Sequence, residues 1–167
     1  MTPSVRMEDV FHTGIVATDL EAACAEITAL TGAAWTPVEA REMPLRGPDG
    51  PLRPTMRFTY TLTGPNRLEV LEAIPGTVWE APAAGTMGPL AAHHVGIWCD
   101  DVAGASRRLA AAGSPLLVTY DGEGTDPVGF AYHRLQSGLL VELVDRSRRD
   151  GFERWFAGGP FPIGVPA

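Results

Sequence analysis

Short runs in which apolar and polar residues alternate make up most of the chain, and two stretches with helical spacing interrupt them. Val10–Ala17 (VFHTGIVA) is apolar and partly β-branched, bounded by Asp9 and Thr18-Asp19, and reads as a strand. Leu20, Ala23, Cys24, Ile27 and Leu30 then recur with helical period, with Asp19 placed to cap the helix and Gly32 to stop it. Trp35–Ala40 is predicted to be a strand. Residues 41–54 hold four prolines and two glycines and are expected to form a turn-rich excursion without regular structure. Thr55–Thr63 alternates cleanly, and Gly64-Pro65-Asn66 turns it into a strand at Arg67–Ile74. After a Pro/Gly/Ala-rich stretch, residues 91–99 form the next strand, and Asp101 caps a helix carried by Val102, Ala105, Leu109 and Ala112 and ended by Gly113. Pro115–Tyr120 is a further strand. Gly129–Leu135 and Gly138–Asp145 read as a hairpin, and the tail after Asp145 as a short helix with Phe152, Trp155 and Phe156 on one side.

The two helical stretches belong to a repeat. Val10–Asp19 returns 82 residues later as AAHHVGIWCDD, which sets His94 on His12, Gly96 on Gly14, Ile97 on Ile15 and Asp101 on Asp19. Each series ends in a strand with an acidic residue among aliphatics, RLEVLE at Glu69 and LVELVD at Glu142. Each half therefore reads βαβββ. The predicted organisation is α+β, two tandem βαβββ modules forming a cupped mixed sheet around a metal site. Its expected parts are residues 8–75, a linker at 76–90, a second module at 91–146 and a tail at 147–167. A four-stranded sheet with one helix leaves an apolar face uncovered, so the halves need each other.

Composition changes this picture only by exclusion. The 34 glycines and prolines suit short strands and many turns. A net charge of −7 argues against nucleic acid or an anionic membrane as partner. No apolar run approaches a membrane span, and the N-terminus lacks a signal-peptide layout, so a cytoplasmic protein is expected. Cys24 and Cys99 are expected to be buried thiols. All 13 basic residues are arginine, which excludes a lysine Schiff base and a P-loop lysine.

Period-2 alternation puts His12, Gly14 and Val16 on one face of the first strand and Phe11, Thr13 and Ile15 on the other. The second, greasier set is expected against the helix, leaving His12 on the concave face. The same reasoning places His94, Gly96 and Trp98 inside, with Glu69 facing the way Leu71 does. Two carboxylates inside a small sheet are costly unless paired or bound to a cation. With two imidazoles on the same surface, that cost is met by one divalent ion held by His12, Glu69, His94 and Glu142. An N2O2 set suits Fe, Mn, Co, Ni or Zn better than Ca. The competing reading makes the histidines hydrogen-bonded core groups. His93 is expected to point away from the site. His133 is a candidate acid/base or a surface residue. Arg41, Arg46, Arg53 and Arg57 could clasp a substrate anion or form a solvated rim, and Tyr60, Trp98 and Tyr132 are candidates for a substrate pocket. The aromatic tail is expected in the core or at a homodimer contact, with a substrate lid as the alternative.

These residues resemble the vicinal oxygen chelate superfamily, which includes glyoxalase I, methylmalonyl-CoA epimerase, extradiol dioxygenases and the fosfomycin and bleomycin resistance proteins. His-x-Gly-Ile with LEVLE, repeated with VELVD, carries the resemblance over residues 10–146. HHVGIWCDD and GFAYHRLQSGLLVEL are most similar to the glyoxalase/epimerase branch. The resemblance implies paired βαβββ modules around one metal, with His12, Glu69, His94 and Glu142 as ligands. It implies a lyase or isomerase/epimerase acting next to a carbonyl through an enediolate or enolate, with Glu69 or Glu142 as the base. An Fe(II)-dependent oxygenase and a small-molecule binding or resistance protein are the alternatives, because one such scaffold hosts many reactions.

Overall fold

A computed structural model describes residues 5–81 and 91–162, and the alternating runs become the strands of one mixed sheet. The first half contributes β1 (Val10–Ala17), α1 (Leu20–Thr31), β2 (Glu39–Glu42), β3 (Leu45–Gly47), β4 (Gly50–Leu52), β5 (Thr55–Tyr60) and β6 (Arg67–Glu72). The second contributes β7 (Ala91–Cys99), α2 (Val102–Ala111), β8 (Leu116–Tyr120), β9 (Phe130–Arg134), β10 (Leu140–Asp145) and α3 (Arg149–Phe156). Both long helices begin as their sequences require. Asp19 accepts from the Ala22 amide and Asp101 from the Gly104 amide, each at 2.8 Å, and Gly32 ends α1 with φ 72°. No helix among the described residues is long and apolar enough to cross a membrane.

The sheet order is β2-β5-β6-β1-β7-β10-β9-β8-β3-β4. β1 and β7 run antiparallel at its centre, and each is flanked by the parallel last strand of its own half, β6 or β10. α1 packs Leu20 and Ala23 against Val70 on the convex side, and α2 packs Val102 and Ala105 against Ala131 and Leu143. The concave side holds the large core, in which Phe152, Trp155 and Phe156 of α3 fill the cup against Phe58, Tyr60 and Trp98. The aromatic stripe of the tail is therefore core.

The excursion at 41–54 departs from expectation. It carries β3 and β4, a hairpin that adds itself to β8 of the other half through Leu45↔Tyr120 and Arg46↔Thr119. β2 lies at one end of the sheet and β3 next to the other, yet only Met43 and Pro44 separate them. Three Cα steps reach at most about 11 Å, so the sheet must curl until its ends approach. Backbone bonds hold the crossing: Met43 N–H donates to Pro54 O and Asp121 N–H to Pro44 O, both at 2.9 Å.

Three further expectations change. Trp35–Ala40 is not a strand; Trp35 makes a single bridge to Thr61, and pairing with β5 starts at Glu39. Residues 82–90 of the expected linker lie outside the described residues, but Trp79 before them is buried in the concave core at 1 % exposure. Phe11, expected on the helix side, stacks on Trp98 with ring centroids 3.8 Å apart. A register shift between Val10 and His12 turns it inward, as a β-bulge does. The segment before β1 is also tied down, because buried Asp9 accepts from Arg146 at 2.8 Å.

Candidate metal centre

The four central strands bring two rows of residues side by side. One row reads Glu69, Gly14, His94 across β6, β1 and β7; the other reads Glu142, Gly96, His12 across β10, β7 and β1. In each row a glycine stands between the carboxylate strand and the histidine. A β-carbon built on Gly14 would lie 1.9 Å from His94 Cε1, and one on Gly96 would lie 1.8 Å from His12 Cε1. Each half's glycine thus leaves the space that the other half's imidazole fills. His-x-Gly in both copies is the sequence trace of this exchange.

The ring nitrogens and carboxylates converge. His12 Nε2 lies 2.9 Å from His94 Nε2, 3.4 Å from Glu69 Oε2 and 3.2 Å from Glu142 Oε2. His94 Nε2 lies 3.2 Å from Glu69 Oε2 and 3.4 Å from Glu142 Oε2. Ligand atoms about 2.1 Å from a common ion, at octahedral or tetrahedral angles, are about 3.0–3.4 Å apart. The pairs that involve a histidine nitrogen have that spacing and all four ligand atoms lie within 4.8 Å of one another, so His12, Glu69, His94 and Glu142 could hold one metal ion. His12, His94 and Glu69 are buried and Glu142 nearly so. Glu69 Oε2 is buried without a hydrogen bond among the described residues, and a cation at the centre would satisfy it.

Without an ion the four groups compensate one another. Burial alone would depress His12, but the Glu142 and Glu69 carboxylates outweigh it and raise its pKa to about 9. His94 moves up by the same balance. Burial pushes Glu69 and Glu142 the other way, and the two histidines override it, holding both below the usual carboxylate range. Burial, reinforced by the two carboxylates, keeps the Tyr60 and Tyr132 hydroxyls protonated well above the phenol value.

His93 has a role that strand alternation does not suggest. Its Nε2 lies 2.7 Å from the Val78 carbonyl, which only accepts, so that nitrogen carries the proton. Burial, then the charge of His94, lowers the His93 pKa to about 4, leaving a neutral ring whose Nδ1 accepts. The atom 3.0 Å from it is His94 Nδ1, which must donate. When His94 gives up its second proton, the lone pair left is therefore the one on Nε2, which faces the cluster. Tyr132 Oη stands 3.1 Å from the same nitrogen. His12 Nδ1 has no such partner among the described residues.

Beside the cluster lies a cavity of about 50 Å³ reached by Tyr60, Glu69, Tyr132, Glu142, Phe152 and Arg148. Tyr60 and Tyr132, candidates for substrate contact, are on its wall. Trp98 is not; it lies in the core between Phe11 and Phe152. Arg57 is turned away from the site altogether, pairing with Glu72 at 2.6 Å and with Glu21 of α1. Arg41 pairs with Glu39 and Arg53 with Glu42, while Arg46 donates to the carbonyls of Gly124 and Asp126. His133 faces α2, with Nδ1 2.8 Å from Ser114 O and Nε2 2.9 Å from Ser106 Oγ. Alternation along β9 forces this, since Tyr132 points into the cup and its neighbour must point out.

A family model described as Glyoxalase/Bleomycin resistance protein/Dioxygenase superfamily matches residues 11–132. The chain belongs to this superfamily. The matched stretch contains His12, Glu69 and His94 and ends before Glu142. Among solved structures, methylmalonyl-CoA epimerase from Mycobacterium tuberculosis aligns with TM-score 0.55 and 17 % identity, covering 87 % of this chain and 92 % of the epimerase. The Streptomyces coelicolor methylmalonyl-CoA epimerase in complex with 2-nitronate-propionyl-CoA aligns with TM-score 0.53 and 19 % identity, over 82 % and 96 %. A methylmalonyl-CoA epimerase in complex with methylmalonyl-CoA and ammonium gives 0.54 and 19 %, over 86 % and 95 %. No curated protein sequence matches significantly. At these identities the likeness is one of fold.

Proposed function

We propose that the chain is a metal-dependent isomerase or epimerase that moves a proton on the carbon next to a carbonyl, with a lyase of the same proton-abstracting type as the close variant. One observation carries this reading: two histidines and two glutamates, drawn equally from both halves, bring their ligand atoms within 4.8 Å of one another beside a cavity, each histidine nitrogen 2.9–3.4 Å from the other and from both carboxylates. A divalent ion there would stabilise the oxygen that gains charge as the proton leaves. The rest falls to side chains. Glu69 and Glu142 are ionised and both reach the cavity, so either can take a proton from carbon and return it. The Tyr60 and Tyr132 hydroxyls stay protonated and can donate to substrate oxygens. The aromatic lining from α3 and β5 keeps water from a carbanion-like species. The likeness in fold to methylmalonyl-CoA epimerases agrees with this chemistry.

The test is metal analysis of the purified protein, followed by solvent-deuterium exchange into methylmalonyl-CoA and into small 2-oxo and 2-hydroxy acids. The expected result is bound divalent metal, reduced in His12→Ala, with exchange abolished by chelation. A protein that carries no metal and takes up none of added Co(II), Zn(II), Ni(II), Mn(II) or Fe(II) would overturn the reading.

A further inference from the structure

Arg148 is the N-cap residue of α3 and lines the cavity beside the cluster, and it is only 8 % exposed. Its guanidinium lies 5.6 Å from the ring centroid of Tyr120, whose phenol it also influences, and 5.3 Å from that of Phe152, and its hydrogen bond among the described residues is a long one, 3.5 Å to Pro162 O. No carboxylate among the described residues lies within ion-pair distance of it. A buried guanidinium without an anion is costly, and arginine is seldom buried unless paired. Aromatic rings and one distant carbonyl do not neutralise it. The side chain lines the same cavity as Glu69 and Glu142, whose own charges are matched by His12 and His94. Buried Trp79 also lines this cavity, its indole edge-on to Tyr132 with ring centroids 5.5 Å apart. The space is narrow, about 50 Å³, and partly open, which suits a slender polar chain rather than a bulky group.

We propose that Arg148 receives a carboxylate of the substrate, so that the site takes a short diacid. One end of that diacid presents vicinal oxygens to the His12/Glu69/His94/Glu142 cluster, and the other end presents a carboxylate to Arg148. This rests on the reading of the cluster as a metal centre and adds the substrate class to it. The planar fork of arginine matches a carboxylate with two parallel hydrogen bonds, and the apolar surroundings strengthen them. Arg148 is a specificity residue in this scheme and moves no proton.

Calorimetric titration of the Zn(II)-loaded protein with two matched pairs tests it: L-malate against 2-hydroxybutyrate, and 2-hydroxyglutarate against 2-hydroxypentanoate. Each pair shares the metal-binding end and differs in the far carboxylate, and the two lengths allow for the span of the cavity. In at least one pair the diacid should bind about 10- to 100-fold more tightly than its partner. Arg148→Met should bring that ratio near one while leaving the monoacid's affinity and the Zn(II) affinity within about threefold. Should Arg148→Met fail to fold, Arg148→Lys keeps the charge without the fork and should lower the ratio at least fivefold. Equal binding within both pairs, or a ratio unchanged in the variants, would overturn the proposal. Failure to take up Zn(II) at all would sink the reading of the metal centre, which separates the two failures.

Discussion

Gly96→Ala places one methyl group where His12 has its ring, and the consequence can be worked from the structure. The new β-carbon would stand 1.8 Å from His12 Cε1, 2.2 Å from Nδ1 and 2.4 Å from Nε2. Carbon atoms in contact prefer about 3.5 Å, so the imidazole must retreat by about 1.7 Å. Metal–ligand distances tolerate errors of about 0.2 Å, so a ring displaced that far no longer coordinates. Losing one of four protein ligands should weaken Zn(II) or Co(II) affinity by at least about 100-fold, the upper end of what a disturbed supporting shell alone costs. The metal-free protein should lose about 1–3 kcal/mol through overpacking. In the His12→Ala background the same methyl enters vacated space, so adding Gly96→Ala should cost little. The two changes should therefore be coupled by roughly 1–3 kcal/mol, read by urea unfolding of the four proteins of the cycle, with metal affinity read by competition against a chromophoric chelator. Parent-like metal binding by Gly96→Ala, or the same destabilisation in both backgrounds, would refute the exchange of glycine and histidine between halves. Gly14 and His94 should behave as the mirror pair.

Four further outcomes are expected. His93→Ala removes the acceptor that holds His94 Nδ1–H and should weaken metal binding about 10- to 100-fold without removing a ligand, seen by the same competition with an intact near-ultraviolet spectrum. Metal uptake should release protons at pH 7, because His12 in the metal-free protein holds its proton up to about pH 9; apparent affinity should rise with pH, and calorimetry in buffers of different ionisation enthalpy counts the protons. The same shift fixes the sign for metal-free stability: the folded pKa lies above the unfolded value near 6.5, so a contribution of about 3 kcal/mol is full below pH 6.5 and lost as pH climbs to 9, visible as a falling Tm. Trp155→Ala empties the centre of the α3 aromatic cluster and should cost about 3–5 kcal/mol in urea unfolding.

The centre was legible because the duplication states each of its parts twice. One strand histidine is weak evidence; His12 and His94, each two residues before a glycine and each followed by a capping aspartate, constrain one another. What stayed hidden depends on partners far along the chain. The hairpin at Leu45–Leu52 has the composition of a loop and becomes strand only by pairing with β8, some seventy residues on. Trp79 sits among prolines, alanines and glycines that promise a linker, yet its indole is drawn into the cup. Phe11 changes face through a one-residue bulge that alternation cannot anticipate. His133 was open to a sharper reading, since its neighbour Tyr132 cannot share a face with it. Arg148 lies in RSRRD, a run that reads as solvated until α3 folds into the cup and takes one of its arginines along.

A centre built from two equal halves has no direction of its own, whereas a substrate whose two ends differ needs one. The four central groups are nearly interchangeable under the exchange of halves: the two rows run glutamate, glycine, histidine in opposite senses. Asymmetry enters where the two copies differ and from the tail that follows them. His93 supports His94, while its counterpart position before His12 is Phe11, which packs its ring edge-on to the imidazole at 4.4 Å and offers no acceptor. Arg148 comes from the tail, which the first half does not have. On the proposed reading these additions turn a symmetric ion-binding motif into a site with a charged end and a reacting end. They orient the carbon at which Glu69 or Glu142 works, and Arg148→Met together with His93→Ala should therefore disturb substrate choice and metal binding separately.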